Sequence, residues 1–148
     1  MNKTVFKFRA VILSLCTVMF SVNLTAQSNQ WTEYYSNEKI KIEWGYQVCD
    51  FSSTASQEMV VFKFTNLTDE YITLSYTQKI TMNNSQENSE QNKEEFRKII
   101  TLKKNENIST NCENIWKEYN IFSAFIDNMT QEKYTYLNKF ELENLTIE

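Results

Sequence analysis

The chain has 148 residues, a formal net charge of −4 and 41% hydrophobic side chains, which fits one folded domain and excludes wholesale disorder. It holds no histidine, no proline and a single glycine, Gly45. These absences exclude a Ser-His-Asp or Cys-His nucleophile, an imidazole metal ligand, a P-loop and a dinucleotide-binding glycine fingerprint.

Lys3, Lys7 and Arg9 precede an apolar run from Ala10 to Val22, and Ala26 then supplies a small side chain. Basic, apolar and small residues in that order predict a secretory signal peptide over residues 1–26. The apolar run is about 13 residues, roughly 20 Å as a helix, and so too short to span a ~30 Å bilayer comfortably. Leu15, before Cys16, is too bulky for a lipoprotein cleavage box. Residues 27–148 then form the expected single domain, 122 residues with 12 basic and 19 acidic side chains and a charge of −7. This acidic balance, with no basic patch, argues against nucleic acid or anionic lipid as a partner. No later run is apolar enough to be a membrane span. Thirteen of the fifteen basic residues are lysine, and asparagine, isoleucine, tyrosine and phenylalanine abound, as expected of AT-rich codons in a low-GC bacterial genome.

Trp31 to Tyr35 is expected to be a short strand, and Ser36-Asn37-Glu38 the turn after it. From Lys39 to Val48 the side chains alternate, with Ile40, Ile42, Trp44, Tyr46 and Val48 on one face, which predicts a half-buried strand. Residues 50–57 are small and polar and read as a loop. Met59 to Thr65 and Tyr71 to Met82 alternate again across the short link Asn66 to Glu70, a pattern that predicts an antiparallel hairpin. Asn83 to Glu95 has thirteen residues and no hydrophobic one, so residues 83–95 are expected to be a flexible, exposed loop. Phe96 to Leu102, Asn107 to Cys112, Ile121 to Ile126 and Tyr134 to Phe140 follow as strands. Residues 141–147 close the chain, with a bulge expected near Asn144, where the apolar phase shifts.

About eight short strands and no sustained amphipathic helix predict an all-β fold, an antiparallel β-sandwich of immunoglobulin-like architecture. The alternative is an α+β domain with one short helix over 113–119, where Ile115, Trp116 and Tyr119 have helical spacing. Immunoglobulin family membership is not supported. No tryptophan follows Cys49 before Trp116, and Thr110 stands where the tyrosine two residues before the second cysteine would be.

Cys49 and Cys112 are the two thiols left after signal cleavage, and an exported chain favours a disulfide between them. The nineteen carboxylates fall mostly in turns and on solvent faces, without a calcium-loop motif or a spacing that marks a catalytic pair. Trp31, Tyr34 and Tyr35 cluster near the start of the mature chain and are candidate binding aromatics, able to stack on sugars or anchor a protein. The expectation is thus a small exported, non-enzymatic protein without a cofactor or metal, placed in the periplasm, at the cell surface or outside the cell. It is expected to bind another envelope protein; the alternative is a glycan-binding module.

Overall fold

β-Branched and aromatic side chains at every second position suit a pleated surface with one dry face, and the chain builds its strands from them. The computed structural model describes residues 30–50, 52–83 and 93–148. In chain order it contains β1 (Thr32–Ser36), β2 (Ile40–Asp50), β3 (Ala55–Asn66), β4 (Ile72–Met82), a single helical turn α1 (Lys93–Phe96), β5 (Arg97–Leu102), β6 (Asn107–Ser109), a 3-10 turn (Lys117–Tyr119), β7 (Ile121–Asp127) and β8 (Lys133–Ile147). The signal peptide expected over 1–26, and most of the loop expected over 83–95, lie outside the described residues. Where the end of that loop is described, it forms α1 instead of continuing as coil.

Every pairing is antiparallel, in the order β1-β2-β3-β7-β8-β4-β5, with β6 beside the end of β3. The fold is all-β and sandwich-like. Of the helix considered over 113–119, one 3-10 turn forms. The sheet bends into two facing arms through β8, which pairs with β7 through Lys133, Tyr134 and Tyr136 and with β4 from Leu137 to Ile147. Register shifts at Thr135, Asn138 and around Asn144 interrupt the ladder along this strand, and bulges of this kind bend and twist a strand. Asn144 has φ 54°, so the phase shift seen in its apolar pattern marks a real bulge.

The pairing of β3 and β4 corrects a sequence expectation. They do not form a hairpin: β3 pairs with β2, β6 and β7, and β4 with β5 and β8. The link 67–71 is an arch that carries the chain from one arm to the other. Phe62 and Phe64 on β3 meet the opposing arm face to face, with Phe64 stacked on Tyr76 at 6.2 Å and Phe62 edge-on to Phe140 at 5.7 Å. Asn66 holds the arch. Its Nδ2 donates to the carbonyls of Glu70 (2.7 Å) and Lys103 (2.8 Å), and its Oδ1 accepts from the N–H and hydroxyl of Thr68 (both 2.8 Å). A second correction concerns Ala55, Ser56 and Gln57, expected in a loop. They are strand, because β2 on one side and β7 on the other satisfy their backbone.

The core lies between the arms. Ile40, Ile42, Val60, Phe62 and Phe64 from one arm pack with Ile72, Leu74, Tyr76, Ile100, Leu102 and Leu142 from the other, all buried. Tyr119, at the end of the 3-10 turn, closes one side. Its hydroxyl donates to the Ile99 carbonyl on β5 (2.8 Å), and its own carbonyl accepts from Gln78 Nε2 (2.9 Å).

Candidate functional site

Cross-strand partners share a face of a sheet, so the registers define which side chains lie together. On the face turned toward the core, one row contains Tyr46, Val60 and Ile121, and the next contains Val48, Glu58, Ala124 and Tyr136. Ile40 and Ile42 occupy the same face of β2 and are fully buried, whereas Tyr46 is 48%, Val48 39% and Tyr136 46% exposed. Between them Val60, Ile121 and Ala124 are fully buried, so on this face exposure is confined to the flanking strands β2 and β8. On the opposite face of the same end, Phe125 and Tyr134 are paired and exposed, and Phe125 packs against Phe122 with ring centroids 4.7 Å apart. Exposed aromatic and aliphatic side chains therefore gather on both faces of the end built by β2, β3, β7 and the first residues of β8.

Polar contacts hold this end in shape. Glu58 binds Lys133 Nζ at 2.6 Å and accepts the Ser123 hydroxyl at 2.9 Å, joining β3, β7 and β8. Ser56, buried, donates to Asn128 Oδ1 at 2.7 Å. In the β7–β8 turn, Asp127 accepts the N–H groups of Thr130 (2.9 Å) and Met129 (2.7 Å), and these bonds hold its carboxyl below the ordinary aspartate value. Cys49 and Cys112 form a disulfide with Cα atoms 5.7 Å apart, which ties the segment after β6 to the far end of β2. Beside it lies a cleft of about 500 Å³, lined by Gln47, Cys49, Gln57, Asn111, Cys112 and Glu113 among others. The Oε1 of Gln47 is buried there and has no hydrogen-bond partner among the described residues. A second cleft, about 350 Å³, is lined by Gln30, Thr32, Trp44, Gly45 and Tyr46.

The three aromatics singled out from the sequence do not converge on one platform. Tyr34 is half-buried, stacks on Phe140 at 5.8 Å and accepts the Leu142 N–H on its hydroxyl at 2.7 Å, so it fastens β1 to β8. Tyr35 is exposed, and its hydroxyl accepts from Asn37 Nδ2 (3.0 Å) at the β1–β2 turn. Trp31 is half-buried, with Lys63 Nζ 5.9 Å from its ring centroid. Sequence reasoning assigned Tyr46 and Val48 to the core-facing side of β2 but could not show that cover stops at Trp44. It gave no role to Tyr136 or Phe125.

Among the described residues, Glu43 and Glu58 have side chains only 12% and 14% exposed. Glu43 pairs across the strands with Lys63 and Glu58 with Val48, which puts them on opposite faces of the sheet. Glu43 is bound by Lys41 (2.8 Å) and Lys63 (3.0 Å), and the hydrogen bond from Lys41, then that from Lys63, holds it below the ordinary glutamate value against the opposing effect of burial. Among the described residues no group of three or more cysteine, aspartate or glutamate side chains is placed to hold a metal, and no helix is long and apolar enough to cross a membrane. A disulfide-bonded β fold is compatible with export. Compared with protein-family models, with curated proteins and with solved structures, the chain matches none.

Proposed function

We propose that this chain is a small exported, non-enzymatic accessory protein of a bacterial cell envelope, acting by binding another envelope protein through side chains exposed at the end of its sheet built by β2, β3, β7 and the first residues of β8. The observation that carries this reading is the gathering of Tyr46, Val48, Phe125, Tyr134 and Tyr136, all exposed, at that one end. Surfaces scatter single apolar side chains, whereas several exposed tyrosine and phenylalanine side chains at one end of a sheet, here on its two faces, have the composition of an interface. Among other exposed apolar side chains, Tyr35 lies on β1, Leu67 and Tyr71 in the arch, Ile99 on β5 and Ile115 in a connection, while Met129 lies in the β7–β8 turn at this same end. Export is supported by the order of basic, apolar and small residues over 1–26 and by the disulfide. Glycan binding through Trp31, Tyr34 and Tyr35 has less support, since Tyr34 spends both its ring and its hydroxyl on the fold.

The test is capture from the native envelope with the oxidised, tagged chain. Wild type is expected to retain a partner in fixed proportion, and Tyr136→Glu to lose it while keeping the wild-type far-ultraviolet spectrum. Consistent recovery of the wild-type chain alone overturns the reading. Glycan-array binding abolished by Trp31→Ala supports the alternative instead.

A further inference from the structure

β2 is longer than the strand that shelters it. β1 accompanies it from Lys41 to Trp44 and stops, whereas β3 pairs with its other side as far as Asp50. Backbone N–H and C=O groups of alternate residues point to opposite sides of an antiparallel strand. From Gly45 to Asp50 half of them therefore point away from β3, and among the described residues no strand meets them. Such a row of backbone groups is a template for a further strand, and proteins usually blunt it with lysine or proline. This stretch contains neither.

The side chains beside the edge suit an incoming strand. Tyr46 and Val48 stand exposed on one face. Gly45, the only glycine of the chain, is itself buried, so the accessible part of the edge begins at Tyr46. Both clefts border the same six residues, the smaller at Gly45 and Tyr46, the larger from Gln47 to Asp50. The larger is lined by the carboxylates of Asp50 and Glu113 and by no lysine or arginine.

We propose that the edge from Tyr46 to Asp50 takes up an extended segment of a partner protein as an added strand. The segment carries apolar side chains at alternate positions, against Tyr46 and Val48, and a basic residue toward Asp50 and Glu113. This rests on the protein-binding reading above and supplies its mode of attachment.

The experiment uses the full chain with its disulfide intact and two synthetic peptides, each an alternating Val-Thr hexamer, one ending and one beginning in two lysines. Amide hydrogen exchange is followed residue by residue. One peptide is expected to slow exchange between Tyr46 and Asp50 by about tenfold or more, and to bind Tyr46→Lys and Val48→Lys about tenfold more weakly. Both positions are exposed, so the fold should persist, and Ile99→Lys on the β5 edge should leave affinity unchanged. The proposal is overturned if these amides are already protected in the free protein by the chain's own upstream residues. It is equally overturned if protection appears at β1 or β5 instead, if neither peptide binds, or if the lysine variants bind like wild type. Envelope capture separates the two ideas: a partner retained equally by wild type and Val48→Lys removes the edge and leaves the protein-binding reading standing. Capture of nothing by wild type removes that reading, and the peptide footprint then decides the edge alone.

Discussion

Asn66 is buried at the end of β3, where the chain turns from one arm into the other, and its amide bonds to two separate stretches, the arch at Thr68 and Glu70 and the turn at Lys103. Replacing it with alanine removes all of these bonds, takes the partner of the Thr68 N–H and unties the arch from Lys103. Asn66→Ala is therefore expected to lower unfolding free energy by about 2–4 kcal/mol, read from the urea midpoint; a loss within error contradicts the assigned role. The link Asn66 to Glu70 has the composition of a hairpin turn, and that is how its sequence reads. Only the carbonyl of Lys103, far along the chain, shows that Asn66 locks an arch. Glu43 carries a prediction about acid. Its folded carboxyl titrates below its unfolded value, so its contribution is complete above the unfolded value and disappears as pH falls through the folded one. Glu43→Gln is expected to reduce the stability difference between neutral and acid pH by at most about 1 kcal/mol, measured as urea midpoints across that range. An unchanged acid limb counts against the Lys41–Glu43–Lys63 cluster as a source of stability.

At the scale of elements, β8 is the hinge of the architecture, and its regularity is broken where the fold needs it to turn. Thr135 sits at φ 47°, in the left-handed region that a β-branched side chain enters at a cost of roughly 1–2 kcal/mol. Asparagine tolerates that region better, so Thr135→Asn is expected to raise the urea midpoint, by about 1 kcal/mol in free energy. A lower midpoint shows that Thr135 makes compensating contacts. Strand existence was largely legible: β2, β4 and β8 appear where alternation put them, β1 where its aromatics did and β7 where a continuous apolar run did, and the bulge at Asn144 followed from a broken apolar phase. Pairing was not legible, because alternation reveals which side of a strand is dry and not which strand dries it. The hairpin expected between residues 59–65 and 71–82 failed for that reason. Ala55 to Gln57 failed for a related one, since a place between β2 and β7 outweighs weak β propensity.

For the molecule as a whole, the disulfide closes a span of 63 residues and ties the far end of β2 to the segment after β6. Reduction is expected to lower unfolding free energy by roughly 4 kcal/mol, read from urea midpoints with and without reductant. A shift of only a few tenths means that the reduced, unfolded chain is still restrained by other structure. The two cysteines could be paired from the sequence because they are the ones outside the segment expected to be a signal peptide. The exposure of Tyr46, Val48 and Tyr136 could not be read, because it depends on where the second arm stops. The most direct measurement is side-chain relaxation of the oxidised, isotopically labelled protein by a soluble nitroxide. Tyr46, Val48, Phe125, Tyr134 and Tyr136 are expected to relax strongly, while Ile42, Phe62, Phe64, Leu74 and Tyr76 stay protected. Protection of Tyr46 and Tyr136 equal to that of Phe64 contradicts their exposure, and with it the surface on which binding is proposed.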